Sequence, residues 1–190
     1  MQKTTYGIPV KPTRPTKWFL ALLCGATLGW STQTTAQAVQ NDECSRAIAL
    51  TQVVNFCSAP GAYSNQNATF SSVTRPSCFP DETNIRDVWF SFVARASDVN
   101  VSVVGNTALS PGGTLTRPQL AIYSGRCTKL TELACISDDF ANNTVQVFAD
   151  RLSIGATYFI RVTARNGTSG TFQLCINNFN QSPKASGDCP

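Results

Sequence analysis

The stretch Asp87-Val88-Trp89-Phe90-Ser91-Phe92-Val93-Ala94-Arg95-Ala96-Ser97-Asp98-Val99-Asn100-Val101-Ser102-Val103 alternates with period two on both sides of a short link. Val88, Phe90 and Phe92 share one face of the first half, while Val99, Val101 and Val103 alternate with Asp98, Asn100 and Ser102 in the second. Successive side chains on a strand point to opposite faces, so each half reads as a strand with one apolar face. The link from Ala94 to Ser97 is short enough to predict a hairpin between the two.

The same pattern recurs downstream. Leu120 and Ile122 alternate with Ala121 and Tyr123, Val145 and Val147 with Gln146 and Phe148, and Tyr158, Ile160 and Val162 with Phe159, Arg161 and Thr163. Phe172, Leu174 and Ile176 close the series, and weaker strands are expected at Ile48 to Val54 and Ala68 to Val73. Between them lie Pro111-Gly112-Gly113, Ser124-Gly125, Ile154-Gly155 and Asn166-Gly167, the residue types that tight turns require. No window of about twelve residues carries a capped helical period. Eight or nine short strands predict an all-β fold, an antiparallel β-sandwich with jelly-roll-like topology. An immunoglobulin-like strand order is the alternative, because spacing does not fix the order in which strands pair.

Residues 1–38 have the layout of a secretory signal peptide. Lys3, Lys11, Arg14 and Lys17 precede an apolar run from Trp18 to Trp30, and Ala36-Gln37-Ala38 offers small residues at a cleavage site. The run is broken by Gly25, Thr27 and Gly29 and falls short of the roughly 20 apolar residues of a permanent span. Those four cations are part of the 15 Lys and Arg that face 11 Asp and Glu, so the exported part is close to neutral. Its arginines are scattered singly, which argues against nucleic acid or an anionic membrane surface as a partner. Residues 39–180 are expected to form one sandwich module, secreted or held at the cell surface. Gln181 to Gly187 reads as a linker.

Seven of the 8 cysteines follow Ala38, which in an exported chain predicts disulfides. The seventh, Cys189, lies in Asp188-Cys189-Pro190 and echoes Asn41-Asp42-Glu43-Cys44, as though 181–190 held a linker and the start of a second module. The remaining six allow fifteen pairings. Cys127 and Cys135 flank what reads as a short loop, Cys57 and Cys78 bracket a long Ser-, Asn- and Pro-rich stretch, and Cys44 with Cys175 would tie the first residues to the last strand.

The chain contains no histidine, which removes the usual general base, the Ser-His-Asp and Cys-His nucleophile systems and the common zinc sets. Asp138-Asp139 or Asp81-Glu82 opposite Asp87 would be the acid pair of a glycosidase, but adjacent loop acids are ordinarily solvated turn residues. An enzyme is not expected, and no cofactor is implied. Calcium is a further expectation at Asp138 and Asp139, where Asn142 and Asn143 add oxygens within the same loop, with Asp42-Glu43 and Asp81-Glu82 as the alternative positions. Trp89, Tyr123, Phe148 and Phe159 fall on the strand face opposite the apolar one. Projecting outward, such rings would stack on a glycan or pack on a protein; on central strands covered from both sides they would be core.

Three blocks resemble a known family: Asp87 to Phe92, Leu120-Ala121-Ile122-Tyr123-Ser124-Gly125-Arg126-Cys127, and Gly155-Ala156-Thr157-Tyr158-Phe159-Ile160-Arg161-Val162. In order and spacing they are similar to secreted β-sandwich modules related to the bacterial pre-peptidase C-terminal domain. Such modules recur in tandem in surface proteins of gliding-type bacteria, many exported by the type IX route, and often open with Asn-Asp-x-Cys. The resemblance implies a non-catalytic module for surface attachment, or for binding an extracellular glycan or protein, within a larger protein. An accessory domain of a secreted hydrolase and a structural spacer are the alternatives.

Overall fold

The computed structural model describes Gly7, residues 39–80 and residues 85–179. The expected signal peptide, Cys24, Asp81-Glu82, the linker and Cys189 lie outside these residues. The described chain is an all-β sandwich of ten strands. One sheet has the order β1 (Ile48–Leu50), β4 (Val88–Val93), β9 (Thr157–Ala164), β6 (Pro118–Arg126), β7 (Lys129–Ser137); the other runs β2 (Phe56–Cys57), β10 (Thr171–Phe179), β5 (Asp98–Val104), β8 (Thr144–Ala149). The two-residue β3 (Tyr63–Ser64) also pairs with β10. From β4 to β6 and from β8 to β10, consecutive strands alternate between the sheets, which gives the jelly-roll-like character.

The alternation read from the sequence fills the space between the sheets. Phe90, Val99, Val101, Val103, Leu120, Ile122, Ile160, Val162, Phe172 and Leu174 are all fully buried in one core. Burying each such side chain contributes roughly 1.5–3 kcal/mol, so this core dominates the stability of the module. Phe90 anchors it, with its ring 4.7 Å from that of Tyr63 and 6.2 Å from that of Phe172.

Several expectations are corrected. The link Ala94–Ser97 does not close a hairpin: β4 and β5 belong to different sheets, and the chain crosses between them. Asn178 makes the crossing, since its Oδ1 accepts from the backbone N–H groups of Arg95 (2.5 Å) and Ala96 (3.2 Å) while its Nδ2 donates to the carbonyls of Ala96 and Asp98. The sandwich is not wholly antiparallel, because β1 runs parallel to β4. Ala68 to Val73 forms no strand; its backbone is held by side chains, Thr69 N–H donating to Asp42 and Ser71 N–H to Asp87.

All six expected cysteines are paired, but in none of the expected combinations. The bonds are Cys44–Cys127, Cys57–Cys175 and Cys78–Cys135. The Cys127–Cys135 expectation fails because the residues between them are not a loop but β7, the returning arm of a β6–β7 hairpin. Arg126 pairs with Lys129 at its turn, whereas Cys135 sits opposite Ala121. At about 3.3 Å per residue, a strand puts such a pair well beyond disulfide reach. Cys57 instead lies directly across from Cys175 on the neighbouring strand, which rules out the Cys57–Cys78 and Cys44–Cys175 pairings together.

Candidate functional site

The outer face of the β4–β9–β6 strands carries a second, smaller core. Trp89 pairs with Arg161, Arg161 with Ala121, and Ala121 with Cys135, so one row of side chains crosses four strands. Over it lies the irregular segment 70–79. Phe79, Cys44, Trp89, Ala121 and Tyr123 are buried together there, with Val73, Leu130 and Phe159 packed around them. The segment has no strand of its own and is fastened at both ends. Ser71 binds Asp87, the Ser77 N–H and Oγ donate to Glu132, and Cys78 is bonded to Cys135.

Asp87 organises this layer. Its Oδ2 accepts from Arg161 Nε (2.9 Å), from Trp89 Nε1 (2.9 Å) and from Ser71 Oγ, while Oδ1 accepts from the Ser71 N–H. Both ionised side chains are fully buried. An isolated charge there would be very costly, and the dense set of hydrogen bonds is what makes the pair tolerable. The Arg161 guanidinium also lies 5.3 Å from the Trp89 ring centroid. The sequence marks Asp87 and Arg161 only weakly: one precedes the first strong strand, and the other is a cation in the middle of an apolar strand.

Two of the three aromatic residues expected to form a binding surface are therefore core. Trp89 is 0% and Tyr123 3% exposed, because segment 70–79 covers the face they were expected to present. Phe159 is half-buried and reaches an open cleft of about 640 Å³, lined also by Ser124, Arg126, Cys127 and Thr157. A second cleft, about 620 Å³, lies on the other side of Cys127, between Ser72–Thr74 and the turn Cys127–Leu130, with Tyr123 in its wall. Ser72, Thr74 and Thr128 bring hydroxyls to it and Lys129 an ammonium group; among the described residues neither cleft is lined by a carboxylate. Beneath, Tyr123 Oη and Arg161 Nη2 are buried with no hydrogen-bond partner among the described residues. Burial pushes the Tyr123 phenol up to about 12, against the opposing pull of the Arg161 charge.

Asp138 and Asp139 serve separate partners. Asp138, 4% exposed, accepts from the N–H groups of Asn142 (3.0 Å) and Asn143 (2.7 Å), which closes its own loop. Asp139 pairs at 2.6 Å with Arg165. Both Asp138 oxygens and Asp139 Oδ1 are thus engaged within the protein, and among the described residues no group of three His, Cys, Asp or Glu side chains could hold a metal. Phe148, at 41% exposure, does face outward, from the other sheet.

The two-sheet β-sandwich agrees with the family whose model matches residues 40–176, described as galactose binding domain-like and associated with the type IX secretion system. The chain belongs to this family. The match covers nearly all of the described sandwich, and it shares the type IX association that the sequence resemblance implied. No curated protein matches the chain. Membership in a galactose-binding-like family and three disulfides are consistent with a carbohydrate- or protein-binding module at an extracellular or cell-surface location. Among the described residues no helix is long and apolar enough to cross a membrane.

Proposed function

We propose that this galactose-binding-like module is a non-catalytic carbohydrate-binding domain that works outside the cell, attached to a larger secreted protein. The observation that carries the reading is the cleft between Ser72–Thr74 and Cys127–Leu130. Its hydroxyls and ammonium group are the donors and acceptors that sugar hydroxyls use. Its walls are fastened by Cys44–Cys127 and Cys78–Cys135, so little ordering remains to oppose binding. The resemblance to modules related to the pre-peptidase C-terminal domain supports the same role in surface attachment.

The test is capture of soluble polysaccharides by the chain and by a Thr128→Ala/Lys129→Ala variant. Both residues are exposed at a turn, so the fold should tolerate the change. Loss of about tenfold or more in affinity at an unchanged melting temperature supports the cleft; equal binding by the two proteins sinks it. Product analysis of the same incubations should show no cleavage of the captured glycan.

A further inference from the structure

We propose that the outer face of the β2–β10–β5–β8 sheet is a second binding surface, and that it takes an uncharged saccharide chain. The proposal rests on the reading of the chain as a carbohydrate-binding module and adds a site on the opposite side of the sandwich.

The strand registers place the outward side chains in rows. Asn177 lies opposite Asn100 and Asn100 opposite Phe148; in the next row Cys175 lies opposite Ser102 and Ser102 opposite Gln146. Rows of this kind set side chains about 4.8 Å apart across strands and roughly 6.6 Å apart along them. A groove of about 350 Å³ runs over Asn100, Ser102, Gln146 and Asn177 beside the Cys57–Cys175 bond, and among the described residues it is lined by no charged side chain.

The polar groups here are unspent. Among the described residues the side chains of Asn100, Ser102 and Gln146 make no hydrogen bond, and Asn177 uses only its Oδ1, accepting from the Asn55 N–H at 3.0 Å. Asn and Gln amides offer donors and an acceptor on one flat group, the complement of vicinal sugar hydroxyls, which both donate and accept. Phe148 is 41% exposed and supplies the ring against which the C–H face of a sugar packs.

The chemistry of the face selects its occupant. A charged ligand would lose hydration with no counter-charge to receive it. A protein partner calls for an apolar centre of several anchors, whereas the lining of this groove is dominated by amide and hydroxyl side chains. A neutral saccharide matches both the missing charge and the surplus of amide groups.

Affinity electrophoresis of the full chain in gels containing galactomannan or hydroxyethylcellulose, with alginate as the acidic control, tests the proposal. At least one neutral polymer should retard the protein. Phe148→Ala should weaken that retardation about tenfold and Gln146→Ala several-fold, at unchanged melting temperature, while Thr128→Ala/Lys129→Ala retains part of it. Retardation that survives both Phe148→Ala and Gln146→Ala but disappears in the cleft variant would overturn the second surface and leave the module reading standing. Retardation by alginate alone would overturn the neutral specificity, and failure of every polymer to retard the intact chain would overturn both.

Discussion

Arg161 Nε lies 2.9 Å from Asp87 Oδ2, and neither side chain reaches solvent. The pair sits outside the main core, between the sheet and the segment 70–79, so it joins two layers that apolar packing alone holds weakly. Asp87→Asn should therefore cost about 3–5 kcal/mol in urea unfolding, because it leaves the guanidinium buried and uncompensated. The Asp87→Leu/Arg161→Met double variant should be more stable than the sum of its single changes predicts. Strict additivity would show that the two groups are not coupled.

Tyr123 gives a pH signature. Its phenol, ordinarily near 10.0, is pushed up to about 12 by burial. Above pH 10 the unfolded chain releases this proton while the folded chain retains it, so stability falls as pH rises from 10 towards 12. The loss attributable to this group is about 2–3 kcal/mol. Tyr123→Phe removes the titrating group, so denaturant midpoints of the variant should decline less over that window; parallel curves for the two proteins would contradict the assignment.

The disulfide pairing makes two measurable claims. Peptide mapping of the oxidised protein should recover Cys44–Cys127, Cys57–Cys175 and Cys78–Cys135, and a Cys127–Cys135 peptide would refute the β6–β7 hairpin. Cys78→Ser/Cys135→Ser should loosen the cover over Trp89 and shift its fluorescence to the red. Cys57→Ser/Cys175→Ser, on the other sheet, should leave that emission in place although it lowers stability by a similar 2–5 kcal/mol.

Asp138 is expected to act as a loop cap and not as a cation ligand. Its two oxygens hold the N–H groups of Asn142 and Asn143, which lets the chain turn through Ala141 and Asn143 at φ of 58° and 59°. Asp138→Ala should lower stability by about 1–3 kcal/mol, whereas Asp139→Ala, losing one partly exposed pair, should cost under about 1 kcal/mol. A chelator should leave the melting temperature of the intact chain unchanged; a clear drop would revive calcium.

The inner face of the sandwich was legible because burial there leaves a period-two trace within each strand. Val88, Phe90 and Phe92, like Val99, Val101 and Val103, show their destination without reference to anything distant. The second core was not legible for the opposite reason. Trp89 and Tyr123 are buried by Val73, Cys78 and Phe79, residues in a segment with no period, held by bonds to Asp87, Glu132 and Cys135 far along the chain. β7 leaves little trace in the sequence because it is an edge strand whose apolar positions, such as Leu130, Ala134 and Ile136, are only half-buried. Trp89 and Tyr123 lie on the strand face opposite the main core, as their alternation with Phe90 and Ile122 implies, yet they are buried. That alternation could not show which faces another segment would cover.

Asn178 decides between two folds of the same four-residue link, and its removal is the sharpest test of the topology. A chain leaving β4 at Val93 and entering β5 at Asp98 is equally able to turn back in one sheet or to cross to the other. Crossing gathers the N–H groups of residues 95 and 96 and the carbonyls of residues 96 and 98 around one buried side chain, where an unpaired group would be costly. The Asn178 amide, 1% exposed, meets four of them at once. Asn178→Ala should destabilise the module by about 2–4 kcal/mol, well above the loss of a single hydrogen bond, because partners on both its oxygen and its nitrogen are orphaned together. Asn178→Asp keeps the acceptor but turns the donor into an oxygen facing the carbonyls of Ala96 and Asp98, so it should be at least as damaging at neutral pH. Native-state hydrogen exchange should localise the change: the Arg95 and Ala96 amides lose protection first, while those of β6 and β9 keep theirs. Uniform loss, or none at 95 and 96, would mean that the crossing is held by something other than this side chain.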